Sequence, residues 1–150
     1  MARIHQRLQQ DCLVVGRFPL CHLLLVQDAN YPWFILVPDR EEITEIYQLE
    51  AADQQQLTRE SALLAAVLAE QFQADKLNIA AIGNLVPQLH VHHVVRYRTD
   101  VAWPAPVWGA VPAIPYTAVA LAGVISKLRN GALQELEYLV DRHGRALSPA

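Results

Sequence analysis

The sequence has little charge and no concentration of it. Charged residues make up 18% of the 150 residues, the formal net charge is −3, and Lys and Arg form no dense run. Proteins that bind a nucleic-acid backbone usually carry a basic patch, so we expect no nucleic-acid polymer as a partner. A single nucleotide stays open as a ligand. The apolar fraction of 53% argues against extensive disorder.

Cysteines and long apolar runs are also scarce. The two cysteines are Cys12 and Cys21, and a chain this apolar needs no disulfide to fold. Apolar stretches are broken by Arg17, His22 or Lys127 before they reach the length of a membrane span. The polar N-terminal residues leave no apolar segment for a secretory signal. We therefore expect a cytoplasmic protein with reduced thiols and no membrane partner.

The spacing of apolar residues predicts an α+β fold with a mainly antiparallel sheet. Strands are expected over 12–16, 20–27, 33–37, 77–82 and 88–97, the fourth of them buried. Helices are expected over 4–10, 53–74, 116–128 and 133–144, the last two forming an added C-terminal helical segment.

The long helix shows the clearest pattern. Asp53 is expected to cap its N-terminus. An apolar stripe at helical spacing is expected to face the core, and the polar residues between are expected to face solvent. The stripe consists of Leu57, Leu64, Leu68 and Phe72, and the solvent side of Gln54, Arg59, Glu60, Glu70 and Gln73.

The most informative motif is the run from Gln88 to His93, QLHVHH. Alternate side chains of a strand point to opposite faces, so Gln88, His90 and His92 should share one face. His93 should face the other way. Clustered imidazoles suit either a metal ion or a phosphate whose bonds are exchanged. Metal is the less favoured alternative, because the remaining histidines are scattered along the chain.

Residues 77–96, LNIAAIGNLVPQLHVHHVVR, resemble the histidine triad (HIT) nucleotide hydrolases and transferases. The resemblance extends back to the segment 25–38 and covers roughly 13–107. It implies one HIT-like domain over 1–150, with a core of about 13–107 and a helical extension of about 116–144.

The resemblance also implies roles for single residues. His90 falls on the nucleophile, His92 on a phosphate contact, and Gln88 on the first histidine of the triad. Asp28 falls on the acidic residue that binds the ribose. Trp33 stands where many members have a further histidine.

Five more residues complete the expected site and its surroundings. Gly83 and Asn84 match the turn that precedes the triad and would contact the nucleotide, and Trp108 could wall the pocket. Arg96 and Arg98 are expected to be surface or interface charges.

The resemblance implies a hydrolase or nucleotidyl transferase that cleaves at the α-phosphate of a dinucleoside polyphosphate or a nucleoside phosphoramidate. The intermediate would be a nucleotidyl-histidine, without a cofactor. A nucleotide-binding module with little turnover is the alternative. HIT proteins are commonly homodimers, and the apolar segment 119–128 could form such an interface or cap the core.

Overall fold

The computed structural model describes residues 2–147. Within this range the fold has three helices and six strands, with one 3₁₀ turn at Ile46–Gln48. The helices are α1 (Gln6–Asp11), α2 (Ala51–Gln71) and α3 (Ala118–Asn130). The strands are β1 (Cys12–Arg17), β2 (Cys21–Val26), β3 (Trp33–Pro38), β4 (Lys76–Ala80), β5 (Val91–Arg96) and β6 (Glu137–Tyr138).

The strands form one six-stranded sheet in the order β4-β5-β3-β2-β1-β6, and every neighbouring pair is antiparallel. This confirms the predicted α+β fold with an antiparallel sheet. β5, the histidine strand, lies between β3 and β4, where His92 is opposite Ile35 on one side and Ala80 on the other. The histidine motif is therefore held by two neighbouring strands.

Helices α2 and α3 cover one face of the sheet. The predicted stripe on α2 is buried, with Leu64 and Leu68 fully inaccessible and Leu57 and Phe72 4% exposed. Each such side chain contributes roughly 1.5–3 kcal/mol when it leaves water. Ile125 and Leu128 of α3 join the same core, so the C-terminal apolar segment caps the sheet with these two residues.

Two predictions about the polar side of α2 are wrong. Glu60 is fully buried, because α2 crosses the start of β2 and the carboxylate accepts the backbone N–H groups of Leu20 and Cys21 at 2.9 and 2.8 Å. The N-terminal cap is Glu50, while Asp53 lies in the first turn and binds Arg40. Short-range spacing could not show that a strand end with free N–H groups lies under the helix.

The C-terminal segment is helical only in its first half. Thr117 caps α3 by accepting the N–H of Ala120, but the helix predicted over 133–144 is wrong. That region holds β6, which pairs with β1. Gly16 makes the pairing possible, since a Cβ atom there would lie 2.5 Å from the carbonyl oxygen of Glu137.

Two further expectations fail at the other end of the sheet. β4 is an edge strand with partly exposed residues, including Ile79 at 49%, and is not the buried strand predicted. Arg96 is 1% exposed and donates to Asp100 and Asn78, whereas Arg98 is exposed as predicted. Asp100, four residues further along the chain, forms an ion pair with Arg96 at 2.8 Å, and this pairing compensates the buried charge.

No helix among residues 2–147 is both long and apolar enough to cross a membrane.

Candidate active site

A cavity of about 490 Å³ opens on the face of the sheet opposite α2 and α3. This volume is within the range of small-molecule binding sites. Its walls come from α1, four strands (β1, β2, β3 and β5), the loop before β5 and the loop that carries Trp108. The lining residues are Arg7, Leu8, Asp11, Cys12, Val26, Trp33, Ile35, Ile82, Gly83, Asn84, Leu85, Val86, His90, His92 and Trp108.

His90 lies at this cavity with its ring fixed by the backbone. Its Nδ1 atom is 2.6 Å from the carbonyl oxygen of Gln88. A carbonyl oxygen only accepts, so Nδ1 carries the proton and donates it. In the neutral ring, the other nitrogen, Nε2, then holds a free lone pair. His90 therefore presents an unprotonated Nε2, the form that a nucleophilic imidazole requires.

His92 has the opposite proton arrangement. The indole Nε1–H of Trp33 donates to its Nδ1 over 3.0 Å. An indole nitrogen cannot accept, so Nδ1 of His92 is unprotonated and the proton of the neutral ring is on Nε2. Burial lowers the pKa of His92 to about 3, with smaller contributions from His90 and His93. His92 is thus a neutral hydrogen-bond donor at physiological pH.

Aromatic rings hold the two histidines in place. The ring centroids of His90 and His92 are 4.9 Å apart, and Trp108 packs edge-on against His92 at 5.2 Å. Trp33 lies 5.9 Å from Trp108 and also contacts His92. Trp108 thus lines the cavity beside His92, where the sequence placed it as a wall. Trp103, from the same loop, lies against Arg96 instead.

Gly83 and Asn84 line the cavity in the loop before β5. Gly83 has φ +69°, a left-handed conformation that glycine adopts without strain. Asn84 is exposed, and Leu85, which follows it, is 76% exposed. The turn therefore lines the same cavity as the two histidines, and its contacts with a nucleotide stay a prediction.

Gln88 does not stand in a ladder with the two histidines. It precedes β5, and its side chain turns to the N-terminal segment, where Oε1 accepts the N–H of His5 at 2.7 Å and Nε2 donates to the carbonyl of Arg3 at 3.1 Å. The prediction that Gln88 shares a face with His90 and His92 is wrong, and a catalytic role of its amide stays a prediction. Gln88 contributes to the site through its backbone carbonyl, which orients His90.

Asp28 is 5% exposed and is not among the residues that line the cavity. Its Oδ1 atom accepts N–H bonds from Asn30 and from the backbone of Ile114. The carboxylate therefore joins the β2–β3 loop to the segment before α3. A contact of Asp28 with a ribose stays a prediction.

His93 faces away from the cavity, as strand alternation predicts. It is fully buried, its Nδ1 is 3.1 Å from the carbonyl of Val91, and its Nε2 is 2.7 Å from the hydroxyl of Ser61 on α2. Burial lowers the pKa of His93 to about 4. His93 therefore belongs to the core between sheet and helix.

Within residues 2–147, no three His, Cys, Asp or Glu side chains come together as a group able to hold a metal ion. The metal alternative thus gains no ligand set from this part of the chain.

Sequence reasoning misses three residues of the cavity wall. Trp33 enters the resemblance only as a departure from the family pattern, yet its N–H fixes the ring of His92. Leu8 and Cys12 form part of the apolar wall, although the sequence pattern assigns them only to a short helix and a strand. The one available signal for Trp33 was its position at the start of β3, which pairs with the histidine strand.

The arrangement combines a free imidazole lone pair with an N–H donor on a neighbouring ring. The lone pair can attack an electrophilic phosphorus, and the N–H donor can stabilise charge on the phosphoryl oxygens. The apolar side of the cavity can accept a flat ring such as a base.

Comparisons with known proteins give a match of sequence and matches of structure. A sequence model described as the HIT domain matches residues 7–99. A histidine triad protein from Marinobacter aquaeolei VT8 is similar in structure, with a TM-score of 0.86 and 47% identity over 90% of this chain and 98% of that one.

Two further solved structures resemble the chain. A histidine triad protein from Bradyrhizobium japonicum has a TM-score of 0.84 and 45% identity. One from Sinorhizobium meliloti 1021 has a TM-score of 0.84 and 39% identity. Each comparison covers 86% of this chain and 96% of the other. No protein of curated function matches. By its domain match and its fold, the chain belongs to the histidine triad family.

Proposed function

We propose that the protein is a hydrolase or nucleotidyl transferase that acts at the α-phosphate of a nucleotide derivative through a covalent intermediate on His90. The fold is of the nucleotide-binding, hydrolase or transferase type shared by HIT proteins. The observation that carries the proposal is the complementary protonation of the two rings, a lone pair on His90 and an N–H on His92.

The first step forms one bond and breaks one. Nε2 of His90 attacks phosphorus, and the bond from phosphorus to the leaving group breaks with its electron pair on the leaving group. Nδ1–H of His90 stays hydrogen-bonded to the carbonyl of Gln88, and this carbonyl stabilises the positive charge that the ring gains. Water then attacks the same phosphorus, the N–P bond returns its pair to Nε2, and the proton of water goes to solvent.

The second ring stabilises the reacting phosphate. His92 offers Nε2–H, and its lowered pKa means that it does so as a neutral group. A fixed donor of this kind favours the charge that grows on phosphoryl oxygens in the transition state. Gly83 and Asn84 line the same cavity, and we expect them to supply further polar groups to the phosphate.

The nucleoside is placed on the apolar side of the cavity. Leu8, Val26 and Ile35 line that side together with Cys12. Burial raises the pKa of the Cys12 thiol to about 12, so that it acts as an apolar wall and not as a thiolate. Such a wall binds a base by its faces and discriminates weakly between purines.

Trapping tests the proposal. The protein is incubated with a dinucleoside polyphosphate labelled at the α-phosphate, quenched with base to preserve the phosphoramidate, and digested for mass spectrometry. We expect the label on the peptide that contains His90 and its loss in His90→Ala. His143→Ala, in an exposed turn, is the matched control and should keep the label. Unchanged turnover in His90→Ala would refute the mechanism.

A binding module with little turnover is the second candidate. It is favoured by the side chain of Gln88, whose amide is engaged with the N-terminal segment, and by Oδ1 of Asp28, which is engaged with backbone and Asn30. Calorimetry with nucleoside monophosphates, run beside the hydrolysis assay, separates the two. Binding without label transfer or product formation across the substrate panel would favour the module.

A further inference from the structure

We infer that Trp33 sets the leaving-group specificity of this site, restricting it to groups that depart as stable anions. The inference rests on the proposed function, because it concerns the fate of the bond that His90 would break. It narrows the substrates from phosphoric anhydrides and phosphoramidates together to the anhydrides and other nucleotidyl compounds with acidic leaving groups.

The direction of the Trp33–His92 hydrogen bond determines the protonation of His92. An indole nitrogen donates and cannot accept, so the 3.0 Å bond to Nδ1 requires a lone pair on that atom. Protonation of Nδ1 would break this bond inside a half-buried aromatic cluster formed with Trp108. The imidazolium form of His92 is therefore disfavoured by geometry as well as by burial.

Neutral His92 can donate a hydrogen bond but cannot act as a general acid. Its single ring proton is on Nε2, and transfer of that proton would leave an imidazolate anion on a residue that is only 7% exposed. An unpaired anion in such surroundings is strongly disfavoured. His92 can thus hydrogen-bond a phosphoryl oxygen, yet it has no proton to give to a departing amine.

No other polar group around the cavity takes the place of His92 as a general acid. Arg7 keeps its protons, and the Asp11 carboxylate lies 3.8 Å from it. Burial raises the pKa of the Cys12 thiol to about 12. Nδ1–H of His90 is held by the carbonyl of Gln88. Among the residues that line the cavity, none is positioned as a general acid.

The chemical consequence depends on the leaving atom. An anhydride breaks its P–O bond with the electron pair on a phosphate oxygen, and the product is a stable anion that takes no proton. A phosphoramidate of an alkylamine must receive a proton on nitrogen as the P–N bond breaks. A missing general acid typically costs about 10²–10⁴-fold in rate. We expect kcat/KM for the anhydride to exceed that for the amidate by at least about 100-fold.

The experiment uses the unmodified protein and one series of substrates. Adenosine monophosphate is presented as its anhydride with a second nucleotide, as its alkyl phosphoramidate, and as aryl esters of phenols with decreasing acidity. In the absence of an acid, log kcat/KM should fall steeply as the phenol becomes less acidic. Equal kcat/KM for anhydride and amidate, or a flat aryl series, would overturn the inference while leaving the covalent mechanism intact.

A variant pair tests Trp33 itself. W33H places a group that can carry a proton beside Nδ1 of His92, and we expect the anhydride preference to fall by at least about tenfold. W103H makes the same replacement at a tryptophan outside the cavity, and the preference should stay unchanged. An unchanged preference in a folded W33H would count against Trp33.

A spectroscopic readout keeps the test independent of the variants. In ¹⁵N-labelled wild-type protein, Nδ1 of His92 should give the shift of an unprotonated nitrogen and Nε2 that of a protonated one, from pH 8 down to about 5. The reverse pattern, or titration of His92 near its ordinary value, would overturn the inference. Absence of label on His90 with every substrate would instead refute the proposed function, and the inference with it.

Discussion

The hydroxyl of Ser61 on α2 lies 2.7 Å from Nε2 of His93 on β5, one residue from the histidine that lines the cavity. His93 donates Nδ1–H to the carbonyl of Val91, so Nε2 accepts the Ser61 proton. The histidine strand is thus tied to the long helix on one face and presents the ring of His92 to the cavity on the other.

Replacing Ser61 tests that contact. Ser61→Ala leaves Nε2 of a fully buried imidazole without its donor, which we expect to cost about 1–3 kcal/mol of unfolding free energy. Urea denaturation measures the loss. Thr58→Ala is the control, because it removes a hydroxyl from an exposed position of the same helix and should change stability by less than about 0.5 kcal/mol. Equal effects of the two variants would contradict the role given to Ser61.

The buried histidines make stability depend on pH in one direction. Folding lowers the pKa of His93 from 6.5 to about 4, so the unfolded chain binds a proton that the folded protein refuses. The contribution of neutral His93 to the free energy of unfolding is fully present above pH 6.5. It is lost as the pH falls towards 4 and amounts to up to about 3 kcal/mol. His92 adds to the loss in the same direction.

Denaturation curves between pH 7.5 and 4.5 check this dependence. His93→Gln cannot titrate, so we expect its unfolding free energy to change less steeply with pH than that of the parent protein. His143→Gln, at an exposed position, should follow the parent curve. A parent protein that is as stable at pH 5 as at pH 7 would rule out buried neutral histidines.

Glu60 is expected to be among the most sensitive positions outside the cavity. Glu60→Ala leaves the N–H groups of Leu20 and Cys21 without an acceptor in a fully buried place, which we expect to cost about 3 kcal/mol or more. Glu60→Gln keeps one carbonyl oxygen and should lose less. Glu70→Ala, on the exposed side of α2, is the control for helix propensity. Thermal unfolding of the three variants gives the order.

Gln88 is expected to hold the N-terminal segment by its side chain. Gln88→Ala removes the acceptor of the His5 N–H, and we expect faster hydrogen exchange at that amide. Amide exchange followed by NMR measures the effect, with the exposed Gln10→Ala as control. Unchanged protection at His5 would show that the segment is held by other contacts.

The sequence predicted the strand alternation that separates His92 from His93, because period-two patterning is a local property. It also predicted the apolar stripe of α2. It could not predict that Glu60 is buried or that Gln88 turns to His5, since both depend on backbone groups about 40 and 80 residues distant.

The same limit explains the C-terminal error. Leucines at 133, 136 and 139 fit a helical spacing as well as a strand next to a turn. The decision in favour of β6 comes from Gly16, on a strand more than a hundred residues earlier, which admits the Glu137 carbonyl. Only the folded sheet brings the two segments together.

The two outer strands of the sheet differ in the backbone they leave unpaired. β6 is two residues long and β4 five, so a second chain that extended this sheet would find a short ladder at one side and a longer one at the other. Short edge strands limit pairing between chains. A second chain could therefore pair more extensively with β4, which lies beside the histidine strand, than with β6 at the opposite edge.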